Sequence, residues 1–145
     1  MQKKDFNETL ENVLSQYDFH YINNAYYFDN DETIIVIATQ KSSYDNSYYI
    51  NFGFLIKKVN PKIKYPKDNN CDVFGRFVFD FNRKQYYSVN LDDINVEELS
   101  ASVRNFIEVN IKPVINDGLY KYFEINPKAV LTATLKARGY LGLAE

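Results

Sequence analysis

A chain of 145 residues is the size of one domain and long enough to bury a hydrophobic core without disulfides or a structural metal. Its 46% hydrophobic and 25% charged residues exclude a disordered composition, and a net charge of -2 gives no global pull toward nucleic acid or anionic lipid. One cysteine, Cys71, and one histidine, His20, exclude an internal disulfide and the usual zinc ligand sets, so neither metal nor cofactor is expected.

Residues 1–12 are polar and charged with no apolar stretch, so a secretory leader is not expected and the cytoplasm is the expected location. From Asp5 the spacing of Phe6, Leu10, Val13, Leu14 and Tyr17 follows the 3.6-residue period, predicting an amphipathic helix opened by an Asp5–Glu8 capping box. Residues 19–22 and 25–28 favour β structure and flank Asn23-Asn24, which predicts a hairpin. Asp29-Asn30-Asp31-Glu32 resembles the start of a calcium loop, but Ile34 holds the position that needs glycine, so a hairpin turn is expected. Residues 33–40 are apolar on both faces at their centre and read as a strand covered on both sides. The aliphatic run within it, residues 34–38, is far below the roughly 20 residues that span a bilayer, so no membrane association is expected.

After a polar turn over residues 41–47, Tyr48, Ile50, Phe52, Phe54 and Ile56 alternate with Tyr49, Asn51, Gly53 and Leu55, and the first set is expected to face the core. Residues 57–67 hold five lysines, two prolines and no acid, and read as an exposed connection. A strand is predicted from near Cys71, with Phe77, Phe79 and Phe81 on one face and Phe74, Arg76 and Val78 on the other; residues 85–89 add a short strand. Asn95 and Glu98 form a second capping box, opening a long helix striped by Leu99, Val103, Phe106, Ile107, Ile111 and Val114, which Pro113 is expected to kink or end. Asn126, Pro127 and Gly139 bracket a last helix carrying Val130, Leu131 and Leu135. The order predicts a single α+β domain over residues 1–145: an N-terminal helix, an antiparallel meander of about five or six strands, and two or three C-terminal helices packed on one face.

Gln40, Lys41, Ser42 and Ser43 lie across a hairpin from Asn51, and strand alternation places Gln40 and Ser42 on one face, with Arg76 within reach on another strand. One reading is a ligand pocket in which Arg76 pairs bidentately with a carboxylate or phosphate while Gln40 and Asn51 orient it. The other is that these groups satisfy the hairpin backbone and each other. A Ser-His-Asp triad would have to use His20, and no Gly-x-Ser-x-Gly accompanies it; Lys41 and Ser42 are neighbours on a strand and point to opposite faces. Cys71 has no activating signature and reads as a small buried hydrophobe. The five glycines form no phosphate-binding loop. Residues 74–79 look like an RNA-stacking strand, but Phe74 and Phe77 are three apart and face opposite sides, so nucleic acid is not expected.

The segment Gln40-Lys41-Ser42-Ser43-Tyr44, followed by Ser47-Tyr48-Tyr49-Ile50-Asn51-Phe52-Gly53, resembles the bacterial family catalogued as domain of unknown function 4304. The helix before Phe19, the Gly75-Arg76 pair and a helix ending at Ile111-Lys112-Pro113 are similar to the same family. The resemblance implies a bacterial cytoplasmic protein and supplies no activity.

Aromatic content is 17%, with thirteen tyrosines and no tryptophan, a bias that A/T-rich codons or a binding surface would each produce. With no catalytic constellation in view, the preferred expectation is a non-catalytic protein-binding module of immunity or adaptor type, using Tyr44, Tyr48, Tyr49, Tyr86 and Tyr87. The alternative is the small-ligand or enzymatic pocket of Gln40, Ser42, Asn51 and Arg76.

Overall fold

In the computed structural model, which describes residues 1–143, the spacing of Phe6, Leu10, Val13 and Leu14 gives helix α1 (Lys3–Gln16), with all four side chains buried. Its cap sits earlier than the sequence pattern places it. Gln2 is the N-cap and donates its backbone N–H to the Asp5 carboxylate at 3.0 Å, so Asp5 closes the box and does not open it. Strands β1 (His20–Ile22) and β2 (Ala25–Asp29) form the expected hairpin, with Asn23 and Asn24 both left-handed at φ 51° and 70°. The next turn is built by the Asn30 side-chain oxygen, which accepts the N–H groups of Glu32 at 3.0 Å and Thr33 at 2.8 Å.

Long strands β3 (Thr33–Lys41) and β4 (Ser47–Ile56) form the centre of a six-stranded antiparallel sheet. The order is β1-β2-β3-β4-β5, and the outer side of β4 is shared: β5 (Val73–Arg76) pairs with Asn51 through Phe54, β8 (Val89–Asn90) with Ser47 and Tyr48. The single strand expected to run on to Phe81 therefore breaks after Arg76, because β8 takes the remaining length of β4. Strands β6 (Phe79–Phe81) and β7 (Lys84–Tyr86) make a separate hairpin through left-handed Asn82 and Arg83, tied to the helix layer where the Ser102 hydroxyl donates to the Asp80 carbonyl at 3.2 Å. Phe77 and Phe79 are buried as expected, whereas Phe81 is half-buried and stacks on Tyr86.

Helix α2 (Val96–Phe106) opens on the predicted box, Asn95 accepting from Glu98 N–H at 2.8 Å and Glu98 returning the favour to Asn95 N–H at 3.2 Å. The helical run does not end at Pro113. Proline has no N–H for the carbonyl four residues back and crowds it, and the chain answers with a π turn over Ile107–Ile111 before continuing as α3 (Lys112–Asp117). Helix α4 (Tyr120–Ile125) carries no strong sequence signal and was not expected. The expected helix from Asn126 to Gly139 is two pieces, a 3-10 turn (Pro127–Leu131) and α5 (Leu135–Leu141). Thr134 caps α5 by accepting Ala137 N–H at 3.2 Å, and the left-handed terminator is Gly142, φ 68°, with Gly139 inside the helix. Leu131 and Leu135, which that helix was expected to carry, are each 73% exposed.

The sheet is buried differently on its two faces. One face carries Ile35, Ile37, Ile50, Phe52, Phe54 and Ile56 under the helices. The other carries a smaller cluster of Ala25, Tyr27, Ile34, Val36, Leu55 and Cys71. Residues 57–70, expected to be a solvated connection, cover that cluster: Lys58, Lys62, Lys64 and Lys67 are exposed, but Asn60 and Pro66 are buried. Tyr27 donates its hydroxyl to the Pro66 carbonyl at 3.0 Å, and Tyr65 packs edge-on against the same ring. Gly53 makes this cover fit, since a Cβ there would lie 2.6 Å from Cys71 Sγ and 2.7 Å from the Asp68 carbonyl.

A buried carboxylate joins the pieces. Asp72 Oδ2 accepts from Ile56 N–H at 2.9 Å and Asn60 Nδ2 at 2.8 Å, while Oδ1 accepts the Thr134 hydroxyl at 2.8 Å. Asp72→Ala leaves three donors without their acceptor and is expected to cost about 3 kcal/mol in urea unfolding, against about 1 kcal/mol for Thr134→Val. Equal, small losses from both variants would contradict this arrangement.

Candidate functional site

Cover on the second sheet face stops half-way along β3 and β4. Residues 33–37 are buried on both faces, but Thr39, Gln40 and Lys41 are exposed. Across this uncovered end the antiparallel register sets Gln40 opposite Tyr49 and Asn51 opposite Arg76, all on one face by alternation.

Three of the four polar residues picked out in the sequence come together there. Asn51 Nδ2 donates to Gln40 Oε1 at 3.0 Å, Arg76 Nε donates to Asn51 Oδ1 at 3.1 Å, and an Arg76 terminal nitrogen reaches Gln40 Oε1 at 3.4 Å. The guanidinium lies 4.0 Å above the Tyr49 ring, a stacked cation–π contact. Among the described residues Arg76 has no carboxylate partner. The cluster lines an open groove of about 390 Å³, bordered by Asp68, Asn69, Phe74 and Thr132.

Ser42 does not join it. Strand β3 ends at Lys41, so the alternation that would align Ser42 with Gln40 is lost one residue too early. Its N–H donates to the Ser47 carbonyl at 2.9 Å and its hydroxyl oxygen accepts Tyr44 N–H at 3.1 Å. Lys41 likewise serves the turn, donating to the Ser42 and Asp45 carbonyls. His20 is exposed on β1 and hydrogen-bonds to no serine among the described residues.

The five tyrosines are dispersed. Tyr48 is only 6% exposed and stacks on Phe6 in the core, as the alternation along β4 predicts, which corrects its inclusion among the partner-binding tyrosines. Tyr49 is half-buried under Arg76, Tyr86 half-buried against Phe81, and Tyr44 and Tyr87 are fully on the surface. The exposed aromatic nearest the polar cluster is Phe74, 47% exposed on the same face of β5.

A second concavity, a cleft of about 340 Å³, lies between the β5–β6 stretch and the helices, and Arg76 borders both spaces. Sequence reading missed it, because its far wall comes from Asn110 in the π turn and from Tyr122 and Asn126 of the unanticipated α4 region. Asn126 Nδ2 donates to Asn110 Oδ1 at 3.0 Å. Tyr122 is 8% exposed, its phenol pushed up to about 12 by burial, and its hydroxyl makes no hydrogen bond among the described residues.

These features define a small α+β protein whose helix-backed sheet bares a rigid polar and aromatic surface at one end. The chain belongs to the family Domain of unknown function (DUF4304), whose family model matches residues 10–117. Comparison with curated proteins and with solved structures finds no significant match. The family match takes in Gln40, Asn51 and Arg76 but ends before Tyr122 and Asn126.

Cys71 is 2% exposed, and burial, reinforced by the charges of Asp72 and Asp68, pushes its thiol up to about 12. The folded thiol thus stays protonated above its ordinary 9.0, where an unfolded one ionises, so its contribution to stability is complete below pH 9.0 and is lost as pH rises toward 12. Tyr122 acts in the same direction between 10.0 and about 12. The melting temperature should therefore fall as pH is raised above 9.0, less steeply in Cys71→Ala, and the native thiol should resist disulfide reagents at pH 8. Rapid thiol labelling of the folded protein would contradict the burial.

Proposed function

We propose that this chain is a non-catalytic protein-binding module of the immunity or adaptor type, and that it meets its partner on the uncovered sheet end around β5. The observation that carries this reading is Arg76. Its guanidinium is held by Asn51, Gln40 and the Tyr49 ring, has no acidic partner among the described residues, and stands beside exposed Phe74. A pre-organised arginine next to an exposed aromatic ring is the composition of an interface hot spot, since little side-chain entropy remains to be lost on binding. Leu131, exposed at 73%, adjoins Thr132 of the groove rim in sequence.

The pocket reading has less support. Its cluster lacks Ser42, and the groove is open, with no nucleophile among its described lining residues held by a base within hydrogen-bond reach. Gln40 and Asn51 are spent on orienting Arg76, which leaves the arginine as the group that meets whatever binds.

The test uses the full chain as bait in cells that express it, compared with Arg76→Ala and Phe74→Ala variants whose melting temperatures match the parent. One stoichiometric protein partner retained by the parent and reduced at least about tenfold by each variant is the expected result. Retention of no partner, or equal retention by Arg76→Ala, would overturn it.

A further inference from the structure

Resting on that reading, we propose that the partner engages as an added β-strand. An extended segment of another protein pairs with the outer edge of β5, sets an acidic side chain against Arg76 and sends an uncharged polar side chain into the cleft on the helix side.

The edge is open. β5 ends the sheet order, and the bond from Phe77 N–H to the Ile50 carbonyl at 2.8 Å fixes its parity. Residues 73, 75 and 77 turn their backbone groups to β4, while Phe74 and Arg76 turn theirs away. Among the described residues those outward N–H and C=O groups have no hydrogen-bond partner. Natural sheets rarely leave such an edge bare, and adding a strand is the standard way to satisfy it.

The two concavities lie where the side chains of an added strand would point. Successive side chains alternate between faces. A residue opposite Arg76 would point to the groove face, where the guanidinium, without a carboxylate partner among the described residues, lies with Phe74 beside it; its carboxylate would complete the arginine's hydrogen bonding. The neighbouring residue would point to the helix side, toward the cleft of Asp80, Gln85, Asn105, Asn110, Tyr122 and Asn126. There the Tyr122 hydroxyl is without a partner, and the Asn110 amide nitrogen donates to nothing among the described residues. A cleft with free amide and hydroxyl groups and one carboxylate, Asp80, suits a neutral hydrogen-bonding side chain and repels an acidic one. The π turn matters here, since it places Asn110 on the cleft wall.

A second copy of this chain fits less well. Pairing β5 with itself would present Gly75 to the cleft and leave it empty, and would bring two uncompensated arginines onto one face.

The probe is a random decapeptide display library selected on the full chain, followed by amide hydrogen exchange with a synthetic selected peptide. Selected sequences should carry Asp or Glu next to Asn, Gln, Ser or Thr. At 100 times its dissociation constant the peptide should slow exchange of the Phe74 and Arg76 amides by about 100-fold, leaving the already bonded Gly75 amide unchanged. Arg76→Ala should weaken binding about tenfold, and Arg76→Pro, which also removes an outward N–H that β4 does not use, should weaken it further. No enriched peptide, or a bound peptide that leaves both amides unprotected, would overturn strand addition while leaving partner capture through Arg76 to stand or fall by its own experiment. Protection of both amides in the free protein, together with a dimer in sedimentation, would assign the edge to a second copy and overturn the proposal.

Discussion

The Asp72 carboxylate is where three separate stretches of chain become one structure. A charged group that is 3% exposed can stay in the interior only if its oxygens are met by donors, and here the donors come from the end of β4, from Asn60 in the covering segment and from Thr134 at the start of α5. The Asp72 carbonyl also accepts Thr134 N–H at 2.9 Å, and Lys136 reaches the same Asn60 at 3.3 Å. The last helix is thereby anchored to the root of β5, and the covering segment to the sheet. Glu32 makes a parallel link, accepting Leu119 N–H at 2.7 Å and the Tyr140 hydroxyl at 3.2 Å.

That anchoring explains where the proposed binding surface is. The segment over residues 57–70 is pinned to the end of the second face nearest Asp72. At the other end β3 and β4 continue past their cover, and the residues there are Gln40, Tyr49 and Asn51 in place of isoleucine and valine. Polar groups at a bared sheet face need partners, and they find each other. Arg76 is the member that both orders the cluster and keeps unused binding capacity. Arg76 also borders the cleft on the helix side, so one residue connects two surfaces made by different parts of the chain.

Backbone irregularity is concentrated at the same place. The helical run of α2 and α3 widens into a π turn ahead of Pro113, the strand expected to reach Phe81 stops at Arg76, and β5 ends the sheet with unpaired backbone groups. Each departure has its own local cause, a missing proline N–H or competition of β8 for β4. Together they leave a cleft and an edge that ideal elements would have closed.

Local periodicity and turn chemistry were enough to determine α1, the Asn23-Asn24 hairpin, the alternation of β3 and β4, the Asn95–Glu98 cap and the α+β plan, because each depends on neighbours a few residues away. The single cysteine likewise leaves no internal disulfide to form within these 145 residues. Strand parity also brought Gln40, Asn51 and Arg76 within reach of one another, but not the point at which β3 ends, and so Ser42 was misplaced. Tertiary structure alone decided the rest: that β5 and β8 share one side of β4, that a lysine-rich loop covers a sheet face, and that α4 brings Tyr122 opposite Arg76. These depend on which distant segments compete for the same backbone groups and the same apolar surface, a competition that no window of sequence contains.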